Sequence, residues 1–152
     1  MDLRVLRIAR GILIGMLVDL FCSFIYSILL GVVLAIWLSY GGVDNYDLPV
    51  AISQTALTAP WLFISGLGGA AISLAAGFVA ANIIRYNYGN YLGLMGTALA
   101  LISLNGTAGY LSLNTSIFFA LLTLVAILGG GWLYGWATGS ADPTDSSDSQ
   151  ED

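Results

Sequence analysis

Between Gly11 and Ala141 the chain carries almost no charge. The formal charges in this long stretch belong to Asp19, Asp44, Asp47 and Arg85. A helix formed there cannot show water the charged face of a soluble amphipathic helix. Helices that are apolar all round are buried in a large core or in lipid, and 152 residues are too few to bury them in a core of their own. The sequence therefore predicts an all-α integral membrane protein.

Composition agrees with a membrane protein and sets one segment apart. Hydrophobic residues make up 58% of the chain and charged residues 9%, whereas soluble domains have about 25% charged residues. The net charge of −5 comes mainly from the C-terminal end, which holds Asp142, Asp145, Asp148, Glu151 and Asp152. Residues 139–152 have no apolar surface to bury, so we expect a disordered acidic tail.

Four segments are long enough to cross a bilayer, which takes about 20 apolar residues. They cover residues 11–39, 60–84, 90–110 and 116–138. The predicted fold is a polytopic bundle of four transmembrane helices. Pro49 follows Asp47 in a helix-start pattern, so a short helix over 49–58 is expected before the second span.

All four cationic side chains fall on one side of this arrangement. Arg4, Arg7 and Arg10 precede the first span, and Arg85 lies between the second and third. Because positive residues in short loops stay in the cytoplasm, residues 1–10 form a basic cytoplasmic N-terminus and the C-terminus is cytoplasmic too. Aromatic residues including Tyr88 and Tyr134 are expected at the inner membrane interface.

Small residues recur at every fourth position of the spans. Such spacing lets membrane helices approach closely. The predicted packing residues are Gly11, Gly15, Gly31, Gly69, Ser73, Gly77, Gly131 and Gly135, with Gly89, Gly93 and Thr97 on the third span. The glycine-rich second and fourth spans also echo each other. A tight bundle follows, and any stripe left uncovered favours self-association or contact with other membrane subunits.

Asp19 is the one ionisable side chain inside a predicted span. Placing it near the bilayer centre costs about 2.5 to 3.5 kcal/mol on an insertion scale. The candidate intramembrane polar or ion site comprises Asp19, Ser23, Tyr26 and Ser27. Two interpretations stay open: Asp19 bonds to Ser23 or to another helix as a structural element, or it exchanges a proton or binds a cation.

Catalysis is disfavoured because the chain has no His and its four basic residues are all Arg. The usual general base, zinc ligand and Schiff-base residue are thereby removed together. We expect no enzyme activity, no cofactor, no metal site and no nucleic-acid partner. The expected partners are the lipid bilayer and other membrane subunits or further copies of the chain.

The glycine pattern of the last three spans resembles a known class. It consists of residues 66–82 with Gly68-Gly69, Gly77 and Ala80-Ala81-Asn82, then Tyr88-Gly89 and Gly129-Gly130-Gly131. In these features the chain is similar to uncharacterised small prokaryotic membrane proteins of four helices. The resemblance implies a multi-pass protein of a prokaryotic plasma membrane, and it implies no activity or site residue.

Two functions are compatible with the sequence. The small residues at every fourth position of the spans favour a non-catalytic packing or accessory protein, or an oligomer-forming membrane subunit. The alternative is a small oligomeric channel or transporter in which Asp19 handles cations or protons.

Overall fold

Five helices account for most of residues 3–85, 87–107 and 109–139, the parts of the chain that the computed structural model describes. They are α1 (Leu3–Tyr40), α2 (Leu48–Ala56), α3 (Ala59–Ile84), α4 (Tyr88–Thr107) and α5 (Leu113–Thr138). The predicted all-α class is confirmed for these residues. Helices α1, α3 and α5 are long and apolar enough to cross a membrane. Residues 140–152 of the predicted acidic tail lie outside the described residues.

Helix α4 ends at Thr107, earlier than the predicted residue 110. The Thr107 carbonyl accepts hydrogen bonds from the backbone N–H groups of Tyr110 and Leu111, and Gly109 adopts a left-handed conformation with φ of 90°. These bonds close a turn in place of another helical turn.

Helix α5 begins at Leu113, before the predicted residue 116, because Ser112 caps it. The Ser112 hydroxyl accepts the Thr115 N–H at 3.3 Å, which is a typical N-cap bond. Helix α1 begins at Leu3, so the arginine segment continues the same helix. The short helix expected over 49–58 is α2, with Pro49 in its first turn.

Helices α3 and α5 form a central parallel pair in which backbone lies against backbone. A methyl group added at Gly77 would collide with the Ile127 carbonyl, and one added at Gly130 would collide with the Leu74 carbonyl. Gly77 lies three residues after Leu74, and Gly130 lies three residues after Ile127, so the two contacts mirror each other. Reciprocal contacts of this kind are typical of a two-fold relation, here about an axis parallel to the helices.

One antiparallel helix packs on each member of the central pair. On α1, a methyl group at Gly11 would lie 2.5 Å from the Ile84 side chain of α3. On α4, a methyl group at Gly96 would lie 2.7 Å from Leu124 of α5. Direct contact between α1 and α4 is much less extensive than either of these packings.

The hydrophobic core lies in the half of the bundle where α1 begins. Its fully buried large side chains include Ile84, Leu92, Met95 and Ile127. Tyr88 and Tyr134 belong to this core and meet edge to face with ring centroids 5.6 Å apart. This half is therefore closed by apolar packing. The expected position of the two tyrosines at the inner membrane interface stays a prediction.

The glycine contact between α3 and α5 predicts a position-specific cost. Gly130→Ala should lower the free energy of unfolding by about 1 to 3 kcal/mol, because the added methyl group must displace the α3 backbone. Thermal unfolding of the purified protein in detergent, followed by circular dichroism, measures the change.

Gly129→Ala is the matched control, because a side chain there meets nothing within 4 Å. Gly129→Ala gains the same helix propensity as Gly130→Ala, about 0.8 to 1.0 kcal/mol, but its methyl group does not collide with another helix. Equal stability of the two variants would contradict the close contact.

Candidate functional site

A cavity of about 480 Å³ lies among α1, α3, α4 and α5, in the half of the bundle away from the core. Its floor is formed by Asp19 of α1 and Ser73 of α3. At its far end it is lined by Ser27, Ser65 and Gly106, which are exposed. The cavity is therefore open in the half of the bundle opposite the arginine residues.

The cavity exists because α1 and α4 meet near one end and part toward the other. At the closed end, Gly15 lets the helices touch: a methyl group there would lie 2.8 Å from the Met95 sulfur and 2.8 Å from the Ala80 methyl group. Beyond Asp19, small residues of α3 keep the space empty. Gly69 lines the cavity, and a side chain there would meet nothing within 4 Å.

Asp19 makes a short hydrogen bond to a different helix. The Ser73 hydroxyl donates to Asp19 Oδ1 at 2.6 Å, and the two residues are 6% and 3% exposed. Ser73 is the only hydrogen-bond donor to Asp19 among the described residues. The second carboxylate oxygen has no hydrogen-bond partner among the described residues, and Asp19 lines the cavity.

The charge of the cavity wall has one sign. Asp19 is its only carboxylic acid, and no Arg belongs to the wall among the residues that the structure describes. Arg10 and Arg85 lie at the closed end of the bundle, since α1 begins there and α3 ends there. An ionised Asp19 would thus attract cations and repel anions.

The other predicted polar residues, Ser23, Tyr26 and Ser27, also line the cavity. Their hydrogen bonds do not reach Asp19. Ser27 donates to the Ser23 carbonyl within α1 at 2.8 Å, and the Tyr26 hydroxyl donates to the Ile64 carbonyl of α3 at 2.9 Å. The structure therefore brings all four candidates to one cavity but gives Asp19 a partner from outside the set.

The predicted packing residues divide into two groups. Six lie in the buried interior: Gly11, Gly15, Ser73, Gly77, Gly131 and Gly135. A side chain at Gly31 or Gly69 would meet nothing within 4 Å. The same holds for Gly89 and Gly93 of α4, where Gly96 makes the close approach instead.

Ser73 had been predicted only as a packing residue. The sequence contains a signal for this role, because Asp19 on α1 and Ser73 on α3 each belong to a series of small or polar residues four apart. Which members of the two series meet depends on the position of α1 along the axis of α3, and neither series specifies that position.

Comparison of this chain with protein-family models, with curated proteins and with solved structures finds no match.

The bond between Asp19 and Ser73 predicts energetic coupling. In a double-mutant cycle of Asp19→Ala and Ser73→Ala, the coupling free energy should lie between about 0.6 and 1.7 kcal/mol, the average and the maximum for hydrogen bonds between membrane helices. Unfolding of the four forms in detergent or bicelles provides the values.

Ser27→Ala serves as the control, since its hydroxyl bonds within its own helix. Combined with Asp19→Ala, it should be additive within about 0.5 kcal/mol. If Asp19→Ala and Ser73→Ala were also additive, the hydrogen bond between Asp19 and Ser73 would not form.

Proposed function

We propose that this chain is a multi-pass membrane protein whose cavity takes up a cation or a proton at Asp19. The supporting observation is a buried carboxylate at the floor of a cavity that has no basic side chain on its described wall. Ionisable residues at membrane depth are costly and typically belong to ion sites or proton relays. The structure thus supports the transport alternative more directly than it supports an accessory role.

In this proposal α4 crosses the bilayer together with the three longer apolar helices. Its 20 residues extend about 30 Å, the thickness of the hydrocarbon layer. Two of its polar residues, Ser103 and Thr107, line the cavity. Polar positions at membrane depth are tolerated where they face protein or a water-filled space.

The proposed orientation follows from the arginines. Arg4, Arg7, Arg10 and Arg85 lie at the closed end of the bundle, and positive residues near spans are retained in the cytoplasm. Both termini would then be cytoplasmic in a prokaryotic plasma membrane. The cavity would open to the outside of the cell.

Polar neighbours stabilise Asp19 at membrane depth. An aspartate near the bilayer centre costs about 2.5 to 3.5 kcal/mol, and a hydrogen bond to a charged group returns about 1.5 to 3 kcal/mol. The bond from Ser73 therefore offsets much of the cost. Water or a cation in the cavity would stabilise the ionised carboxylate further.

Passage to the other side requires a change at the closed end. The apolar core separates Asp19 from the arginine end, and α1 touches α4 there through Gly15 and Met95. This contact is the smaller of the two that α1 makes with α3 and α4. We propose that α1 and α4 part at this contact during transport.

Reconstituted vesicles test the proposal. With an imposed membrane potential and a pH-sensitive dye inside, or with potassium as the permeant ion, wild-type protein should give flux above that of empty vesicles. Asp19→Asn should reduce the flux to the level of empty vesicles. Asp44→Asn, the same change at an exposed position, should leave it unaltered.

Flux that survives in Asp19→Asn would overturn the role of the carboxylate. Absence of flux in every form would remove the transport proposal and favour the accessory subunit. The feature in favour of that second function is Gly31 on α1, which no described residue covers.

A further inference from the structure

The cavity is larger than an inorganic ion requires. Its volume of about 480 Å³ falls within the range of about 300 to 1,000 Å³ for sites that hold small organic molecules. One water molecule occupies about 30 Å³. The space at Asp19 therefore matches an organic molecule better than a single bare cation.

The described wall lacks the donor set of a metal site. No group of three or more His, Cys, Asp or Glu side chains occurs among the described residues. Ca²⁺ takes six to eight oxygen ligands, several of them usually carboxylates, and Asp19 is the only carboxylate at the cavity. Together with several hydroxyls, one carboxylate suits a monovalent group that donates a few hydrogen bonds.

The cavity wall combines polar and apolar side chains. The floor has the Asp19 carboxylate and the Ser73 hydroxyl, with Ser23 one helical turn above Asp19. The facing helices α4 and α5 contribute the apolar side chains of Leu99, Ile102, Phe119 and Leu122 together with the hydroxyls of Ser103, Thr107 and Thr123. A ligand that satisfies both parts has a cationic hydrogen-bond donor at one end and a hydrocarbon body at the other.

We infer that the ligand is a small organic ammonium ion with an apolar substituent. The inference rests on the proposed function, since it assigns the cation that Asp19 takes up. The ammonium group donates to the free oxygen of Asp19, and the hydrocarbon body lies against Phe119 and Leu122. An ionised carboxylate and an ammonium form a charge-assisted hydrogen bond, roughly twice as strong as a neutral one.

Gly69 offers a way to fill the cavity without touching Asp19. It lines the cavity, and a side chain would start in open space. Gly69→Phe should therefore exclude an organic ligand while the Asp19 carboxylate stays in place. Gly31→Phe is the matched control, because a side chain there also starts in open space and Gly31 lies outside the cavity wall.

Equilibrium dialysis of the purified full chain in detergent, with 2-phenylethylammonium as the probe, tests the inference. Wild type and Gly31→Phe should bind the probe. Asp19→Asn, which keeps the size of the side chain, should weaken binding by roughly 10- to 100-fold, and Gly69→Phe should do the same. The neutral analogue 2-phenylethanol should not compete.

Other outcomes separate this inference from the proposed function. Flux of protons or potassium that depends on Asp19, without binding of 2-phenylethylammonium, would overturn the organic ligand alone. Equal binding of the probe by wild type and Gly69→Phe would place the probe outside the cavity and overturn the inference as well. Loss of any Asp19-dependent flux or binding would overturn the proposed function.

Discussion

The contact between α3 and α5 organises the molecule, because two glycines let the helix backbones meet. The carbonyls of Leu74 and Ile127 occupy the space that side chains at Gly130 and Gly77 would need. In lipid no hydrophobic drive brings helices together, so such close van der Waals contact is a main source of association. With the central pair in contact, α1 and α4 pack on separate members of it. Their own limited contact near Gly15 leaves the cavity open beyond Asp19.

Asp19 and the cavity depend on each other. A carboxylate at this depth needs polar surroundings, and a cavity lined with hydroxyl groups provides them. The hydrogen bond from Ser73 fixes the carboxylate at the floor at 2.6 Å and links the two helices that form it. The apolar core behind it, around Ile84 and Met95, prevents the cavity from becoming a continuous pore. One arrangement of helices thus produces both a packed core and a cavity that reaches Asp19.

The sequence predicts the helices well because composition determines them. Uninterrupted apolar runs and the two prolines at Pro49 and Pro60 indicate where α2 and α3 begin. Asp19 stands out as well, since a charge in an apolar run is rare. These features are local, so no knowledge of neighbouring helices is needed.

Contacts between helices are harder to predict, because small residues four apart identify one face of a helix and not the helix that packs on it. Gly93 and Gly96 are equally small, yet only Gly96 meets another helix. Tyr88 and Tyr134 pack edge to face in the core, a contact that residue type alone does not indicate. Ser73 became the partner of Asp19 through the relative position of α1 and α3. Such outcomes depend on helix sliding and rotation, which a single sequence does not specify.

The most direct measurement is the accessibility of single cysteines to a membrane-impermeant thiol reagent, after replacement of Cys22 by Ser. Ser23→Cys and Ser103→Cys lie on opposite walls of the cavity, and Ala76→Cys is fully buried. The account predicts that the two cavity cysteines react in membranes, from the side opposite the N-terminus, while the cysteine at position 76 does not. Reactivity at positions 23 and 103 as low as that at position 76 would contradict an open cavity that reaches Asp19.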